Sequence, residues 1–193
     1  MAVYTKINQK EINIINKNFN IDKVTSFKGI KQGIENTNYL LKSKKKKYIL
    51  TIFEKRVLQK EIPFFMKLMD NLNNSKINCP KPLKTKENKY LIKLKNKTAC
   101  IVSFLEGKDK KILNINDCYA IGKTIARMHV VTNKMKLNRK NSMGIRNLKP
   151  LLESIKFKSK KFSNLKVFLK NNLKDINKNW PKQLPKGIIH GDL

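Results

Sequence analysis

The stretch "GIIHGDL", residues 187–193, concentrates more chemistry than any other part of this sequence. Gly191 separates His190 from Asp192, and two isoleucines lead into the three. A carboxylate set on a glycine turn after an apolar run can accept the proton of a hydroxyl and aim its oxygen. The same tripeptide also describes an ordinary loop histidine beside a capping aspartate. The residues that would serve such a carboxylate decide between the two.

Gly29 and Gly33, in "SFKGIKQGIENTNYLL", lie between two strand-like segments. Glycines there let a backbone approach phosphate oxygens without a side chain in the way. Their spacing is not that of a dinucleotide fingerprint, and it also suits a plain turn. Glu61 opens a helix-like stretch, where a carboxylate can steady a lysine on a neighbouring strand or simply complement the helix dipole.

The elements around these residues follow from periodicity. Asn8 and Glu11 have capping-box spacing, and Ile12, Ile15 and Phe19 then share a helix face. Strands are predicted over 23–29, 36–43 and 46–53, the last two joined by the lysine-rich hairpin "KSKKKK". Charge at such a tip discourages edge pairing. A helix is predicted over 59–74, with Pro63 in its first turn. "CPKP" (79–82) forces extension, and strands follow over 89–94 and 98–105. The period then changes to helical over 115–131, with Ile121, Ile125 and Met128 together. Residues 132–160 are weakly patterned, and a final helix carries Leu165 to Trp180 until Pro181 stops it. Strands first and helices second predict an α+β fold. A sheet lobe over residues 1–105 would precede a helical lobe over 106–193.

The 193 residues carry a formal net charge of +31, from 44 basic against 13 acidic side chains. Only Arg56, Arg127, Arg139 and Arg146 among the basic residues are arginine. Phosphate neutralisation could hold such a chain on nucleic acid. Lysine, asparagine and isoleucine, however, share A+T-rich codons and rise together. The lysines are scattered without interleaved aromatics, and a base-reading protein favours arginine. No nucleic-acid partner is expected. Cys79, Cys100 and Cys118 are odd in number and lack CxxC spacing, which argues against a disulfide framework or a zinc site. Neither a signal-peptide h-region nor a membrane-length apolar run occurs. A cytoplasmic protein without a membrane partner is the expectation.

A sheet lobe, a hinge, a helical lobe and then "HGD" is the order of parts in protein-kinase-like phosphotransferases, whose catalytic loop reads H-x-D-x-x-x-x-N. The matching asparagine would be residue 197, so the chain is expected to be cut inside that loop and to turn nothing over alone. The sequence also resembles the homoserine kinases of the aminoglycoside-phosphotransferase-like type. The likeness runs in order through "MAVYT", "SFKGI", "GIENTNYLL", "YILTIFEKR", "PFFMKLM", "CPKP", "IVSFLEG", "IARMH" and "HGDL". That resemblance implies a bilobal kinase-like fold with an incomplete helical lobe. The implied activity is transfer of the ATP γ-phosphoryl group to the hydroxyl of L-homoserine, with Mg2+ as cofactor and ATP and homoserine as partners. It puts Asp192 in the catalytic-base position and Gly29 to Asn36 over the phosphates. Ser103, Phe104 and Leu105 take the hinge that would bind adenine, and His129 is implied as packing support. One departure stands out: the strand lysine of the pattern falls at Thr51. Lys55, four residues on with the same strand parity, is the candidate to contact the α- and β-phosphates, provided the strand runs that far.

Overall fold

The computed structural model describes residues 3–55, 57–142, 144–155, 162–181 and 183–191. The elements run α1 (Gln9–Asn18), β1 (Ser26–Gly29), β2 (Thr37–Lys42), β3 (Lys47–Ile52), α2 (Ile62–Asn74, entered through a 3-10 turn), β4 (Leu91–Leu94), β5 (Lys97–Ser103), α3 (Ile115–Asn133), α4 (Ile145–Ser154) and α5 (Ser163–Lys178). The predicted mixture of sheet and helices is therefore present. Chain contacts divide it into two compact units, Met1–Leu137 with Ile188–Leu193, and Asn138–Gly187.

In the first unit all five strands form one antiparallel sheet in the order β1-β2-β3-β5-β4. Successive side chains on a strand point to opposite faces. On one face Tyr39, Leu41, Tyr48, Leu50, Ile52, Ala99 and Ile101 bury against Ile12 and Ile15 of α1 and against Phe19 just past its end. The capping box at Asn8 and Glu11 that starts α1 is formed as its spacing predicts. Glu11 is nearly buried, and Lys95 Nζ approaches it at 3.3 Å from the β4–β5 turn. Burial would raise its carboxyl. The Asn8 backbone and Lys95 outweigh that and hold it below the usual glutamate range.

The opposite face is covered only in part. Ile62 and Met66 of α2 pack on Cys100 and Val102, with Ile49, Phe53 and Leu91 around them. This leaves α2 over the β3, β5 and β4 side. On β1 and β2, Lys28 is exposed, and Asn38 and Leu40 are half-buried. The "CPKP" segment lies extended along β5 as expected, with Leu83 N–H donating to Ile101 O at 2.8 Å.

Two expectations change beyond the sheet. The weakly patterned region contains α4, a helix that the sequence pattern does not announce, with Pro150 inside it and Leu152 buried. A proline there removes one intrahelical donor, which hides the helix from pattern reading. In α3 only Thr132 is buried among the described residues. His129 is exposed, so the packing contacts implied for its side chain are not seen among the described residues, and its carbonyl accepts from Thr132 Oγ1 at 3.3 Å.

The cysteines differ enough to be told apart chemically. Burial pushes the Cys100 thiol up to about 12 and also raises that of Cys79, whereas Cys118 is exposed on α3. Thiolate is the reactive form. Iodoacetamide at pH 8 should therefore label Cys118 first and Cys100 only as the sheet unfolds. Peptide mass spectrometry over time checks the order.

Candidate functional site

Register places the residues that the sequence singled out. Lys28, Leu40, Ile49 and Val102 pair across four strands, and Asn38, Thr51 and Cys100 pair across three. Thr51 Oγ1 donates to Asn38 Oδ1 at 2.8 Å, so the position where a lysine was expected holds a neutral hydrogen-bonded pair. β3 stops at Ile52. Lys55 lies exposed in the connection beyond it, and the strand parity invoked for it does not reach that far. Register puts two lysines on this face of β1 and β2, Lys28 and Lys42; Lys28 is the one next to the loop, and among the described residues no carboxylate is paired with it. The β1–β2 register, not spacing within either strand, is what aligns Lys28 with Leu40. Glu61 sits at the N-terminus of α2 after the 3-10 turn.

The loop from Ile30 to Asn36 joins β1 to β2 over this edge. Gly33, at φ +92°, has no atom within 4 Å of a would-be Cβ, so backbone conformation alone demands glycine there. Gly29 has a different reason. A Cβ on it would meet Val3 Cγ2 at 2.9 Å, so the missing side chain makes room for the N-terminal segment. Asn36 closes the loop: its Oδ1 accepts from the Glu54 amide at 3.3 Å.

Beneath that amide is a charged knot. The Glu54 carboxylate, with a side chain 10% exposed, accepts from Thr5 Oγ1 and Thr37 Oγ1 at 2.7 Å each and pairs with Lys97. Lys97 also donates to Thr5 Oγ1 at 2.7 Å. Burial acts to raise the Glu54 carboxyl, and Lys97 with the two hydroxyls prevails and holds it below the usual range. Sequence spacing gave no sign of this knot.

At the far end of β5, the hinge residues are partly engaged. Ser103 N–H donates to Lys81 O and its Oγ accepts from Lys81 N–H, both at 2.9 Å. Phe104 N–H donates to Lys47 O at 3.3 Å, while Lys47 Nζ reaches Glu106 at 2.8 Å and lies over the Phe104 ring. Leu105 is 40% exposed. His190 and Gly191 belong to the unit that contains the sheet, and Gly191 takes φ +80°. Asp192 itself lies outside the described residues. An open cavity of about 580 Å³ between the C-terminal ends of α2 and α3 is lined by Asn71, Asn74, Val130 and Lys134, and by none of the predicted site residues.

The family model described as "Phosphotransferase enzyme family" matches residues 26–193. Homoserine kinase of Paramagnetospirillum magneticum is 38% identical over 194 residues, taking in 100% of this chain and 60% of that protein. The homoserine kinase of Methylocella silvestris is 35% identical over the same span and coverage. The chain thus spans about 60% of the length of the curated relatives it matches. Among solved structures, amicoumacin kinase hAmiN in complex with AMP-PNP, Ca2+ and Ami has a TM-score of 0.74 at 17% identity, covering 97% of this chain and 59% of that one. Spectinomycin phosphotransferase in complex with ADP and spectinomycin gives 0.57 at 18% identity, covering 90% and 56%. These two likenesses establish the α+β fold as kinase-like. With the family model matched over most of its length, the chain belongs to the phosphotransferase enzyme family.

Proposed function

We propose that this chain is the nucleotide-binding and catalytic-turn part of an ATP-dependent kinase that phosphorylates the hydroxyl of L-homoserine to O-phospho-L-homoserine. The observation that carries this reading is the alignment of the whole chain with proteins named homoserine kinase at 34–38% identity. In this reading residues 1–105 hold the nucleotide, and 106–193 begin the part that receives the acceptor. The adenine lies along Leu40 and Ile49. It meets the Leu105 amide, because those of Ser103 and Phe104 are already taken. The loop from Gly29 to Asn36 covers the phosphates, and Lys28 supplies the charge that Thr51 lacks. Asp192 accepts the acceptor proton and orients the oxygen for in-line attack. Positioning and charge carry this reaction, because phosphoryl transfer leaves little covalent work to the protein.

Magnesium, where bound, would neutralise the phosphates. Among the described residues no three His, Cys, Asp or Glu side chains gather to hold a metal. Among the same residues no helix is long and apolar enough to cross a membrane.

The test joins this chain to the remainder of the P. magneticum homoserine kinase and supplies ATP with homoserine, choline or kanamycin. O-phosphohomoserine as the main product is the expected result. A preference for either other alcohol, or no transfer to any, would overturn the assignment. In the same chimera, Lys28→Met should raise the KM for ATP roughly tenfold, as one charge-assisted phosphate contact is lost. Lys55→Met should change it less. A larger effect at Lys55 would return the phosphate role to the residue that parity first suggested.

A further inference from the structure

We propose that the N-terminal segment Val3–Thr5 is a strap that positions the loop over the phosphates, with Tyr4 as its positioning residue. Three contacts define the strap. Val3 fills the space left by the absent side chain of Gly29, where the loop departs from β1. Tyr4 Oη donates to Ile34 O at 2.9 Å, in the middle of the loop. The Tyr4 and Thr5 amides donate to Thr37 Oγ1 at 2.9 and 3.1 Å, where the loop enters β2. The segment therefore touches the loop at its start, middle and end.

Its own footing is firm. Thr37 is fully buried, and its hydroxyl also donates to Glu54. Thr5 O accepts from the buried Tyr39 hydroxyl at 3.0 Å. Tyr4 is different: it is 56% exposed, so its ring contributes little to the core, while its hydroxyl reaches a loop carbonyl 30 residues away. The loop it meets is exposed from Lys31 to Glu35 and holds its shape around a left-handed glycine. A loop with few internal ties loses conformational freedom on binding, and an external tie lowers that cost in advance. That effect should fall on ligands that reach the loop and spare those that do not. The part of this inference concerning phosphate rests on the nucleotide reading above, whereas the mechanical part does not.

Hydrogen exchange on the 193-residue chain separates the two. In Tyr4→Phe, the Ile30 loop amide, which donates to Asn38 O at 2.8 Å, should exchange about threefold to tenfold faster, the range expected from one hydrogen bond, with β2 and β3 amides unchanged. Unchanged exchange in the loop, or faster exchange in both loop and strands, would overturn the strap. Gly29→Ala is the second variant: displacing Val3 should accelerate the same Ile30 amide, and no acceleration counts against the strap equally. A non-hydrolysable ATP analogue and adenosine then serve as probes. Tyr4→Phe should weaken the analogue by a similar factor and leave adenosine alone. Equal weakening of both, or of neither, would remove the link to phosphate. If the wild-type chain binds neither probe, the nucleotide reading fails, and loop exchange still decides the strap.

Discussion

Replacing Glu54 by alanine is expected to destabilise the sheet unit by about 2–3 kcal/mol, near the lower end of what breaking a buried, hydrogen-bonded ion pair costs. The lower end applies because the Lys97 side chain is 40% exposed and water takes over part of its charge. The Thr5 and Thr37 hydroxyls would each lose a charged acceptor, and Thr37 is wholly buried. Urea unfolding followed by near-ultraviolet tyrosine dichroism reads this directly, since Tyr39 and Tyr48 are buried in that unit. Trp180 lies in the other unit and is not a probe of the change. The pH dependence has a definite sign. The carboxyl of Glu54 is held below its usual range in the folded chain. Its contribution is therefore complete above the unfolded pKa and disappears as pH falls through the folded one. Wild type should lose stability on acidification below about pH 4.5 more steeply than Glu54→Gln, because glutamine has no charge to lose. A Glu54→Ala midpoint equal to wild type at neutral pH would mean that the knot contributes nothing.

The fold was legible where local chemistry and tertiary packing agree. The capping box of α1, the period-two strands and the proline-forced extension at 79–82 each announce themselves within a few residues, and the structure places all of them. α4 was not legible, because Lys149 and Pro150 interrupt a short amphipathic stripe ending on Leu152. The site was legible in part. Gly33 demands glycine for its own backbone, as loop reasoning suggests. Gly29 demands it for Val3, a residue 26 positions away that no local reading connects with it. Lys55 shows how parity misleads at a strand end: four residues preserve the face only while the strand continues, and β3 ends at Ile52. Glu54 and Lys97 are 43 residues apart, so nothing short-range marks them as a pair.

Those differences bear on the proposed phosphate contacts. A strand lysine anchored by a helix carboxylate would give a fixed positive point. Thr51 bonded to Asn38 gives none. Beside the loop, register on this face offers Lys28, which precedes the very glycine that Val3 packs against. The N-terminal segment, the loop and the charge thus become one mechanical unit, with the Glu54 knot as its anchor at the β3 end.

Asp192→Asn, in the chimera that completes the chain with the P. magneticum sequence, should lower kcat by roughly 10²–10⁴ while leaving the KM for ATP within about a factor of two. Asparagine keeps the size of the side chain and can still hydrogen-bond a hydroxyl, but it cannot take the proton as the oxygen attacks. A carboxylate that acts only in the transition state confines the effect to kcat. Gly191 supplies the control. Its φ of +80° is one that a side chain tolerates poorly, so Gly191→Ala should disturb the backbone at residue 191 and lower kcat while leaving the residue 192 carboxylate chemically intact. Loss of activity in Gly191→Ala with full activity in Asp192→Asn would show that the turn matters for reasons other than proton transfer. Full activity in both would remove the aspartate from the reaction. Loss in both, with ATP binding preserved, is the pattern expected of a carboxylate that depends on the backbone conformation of the glycine before it.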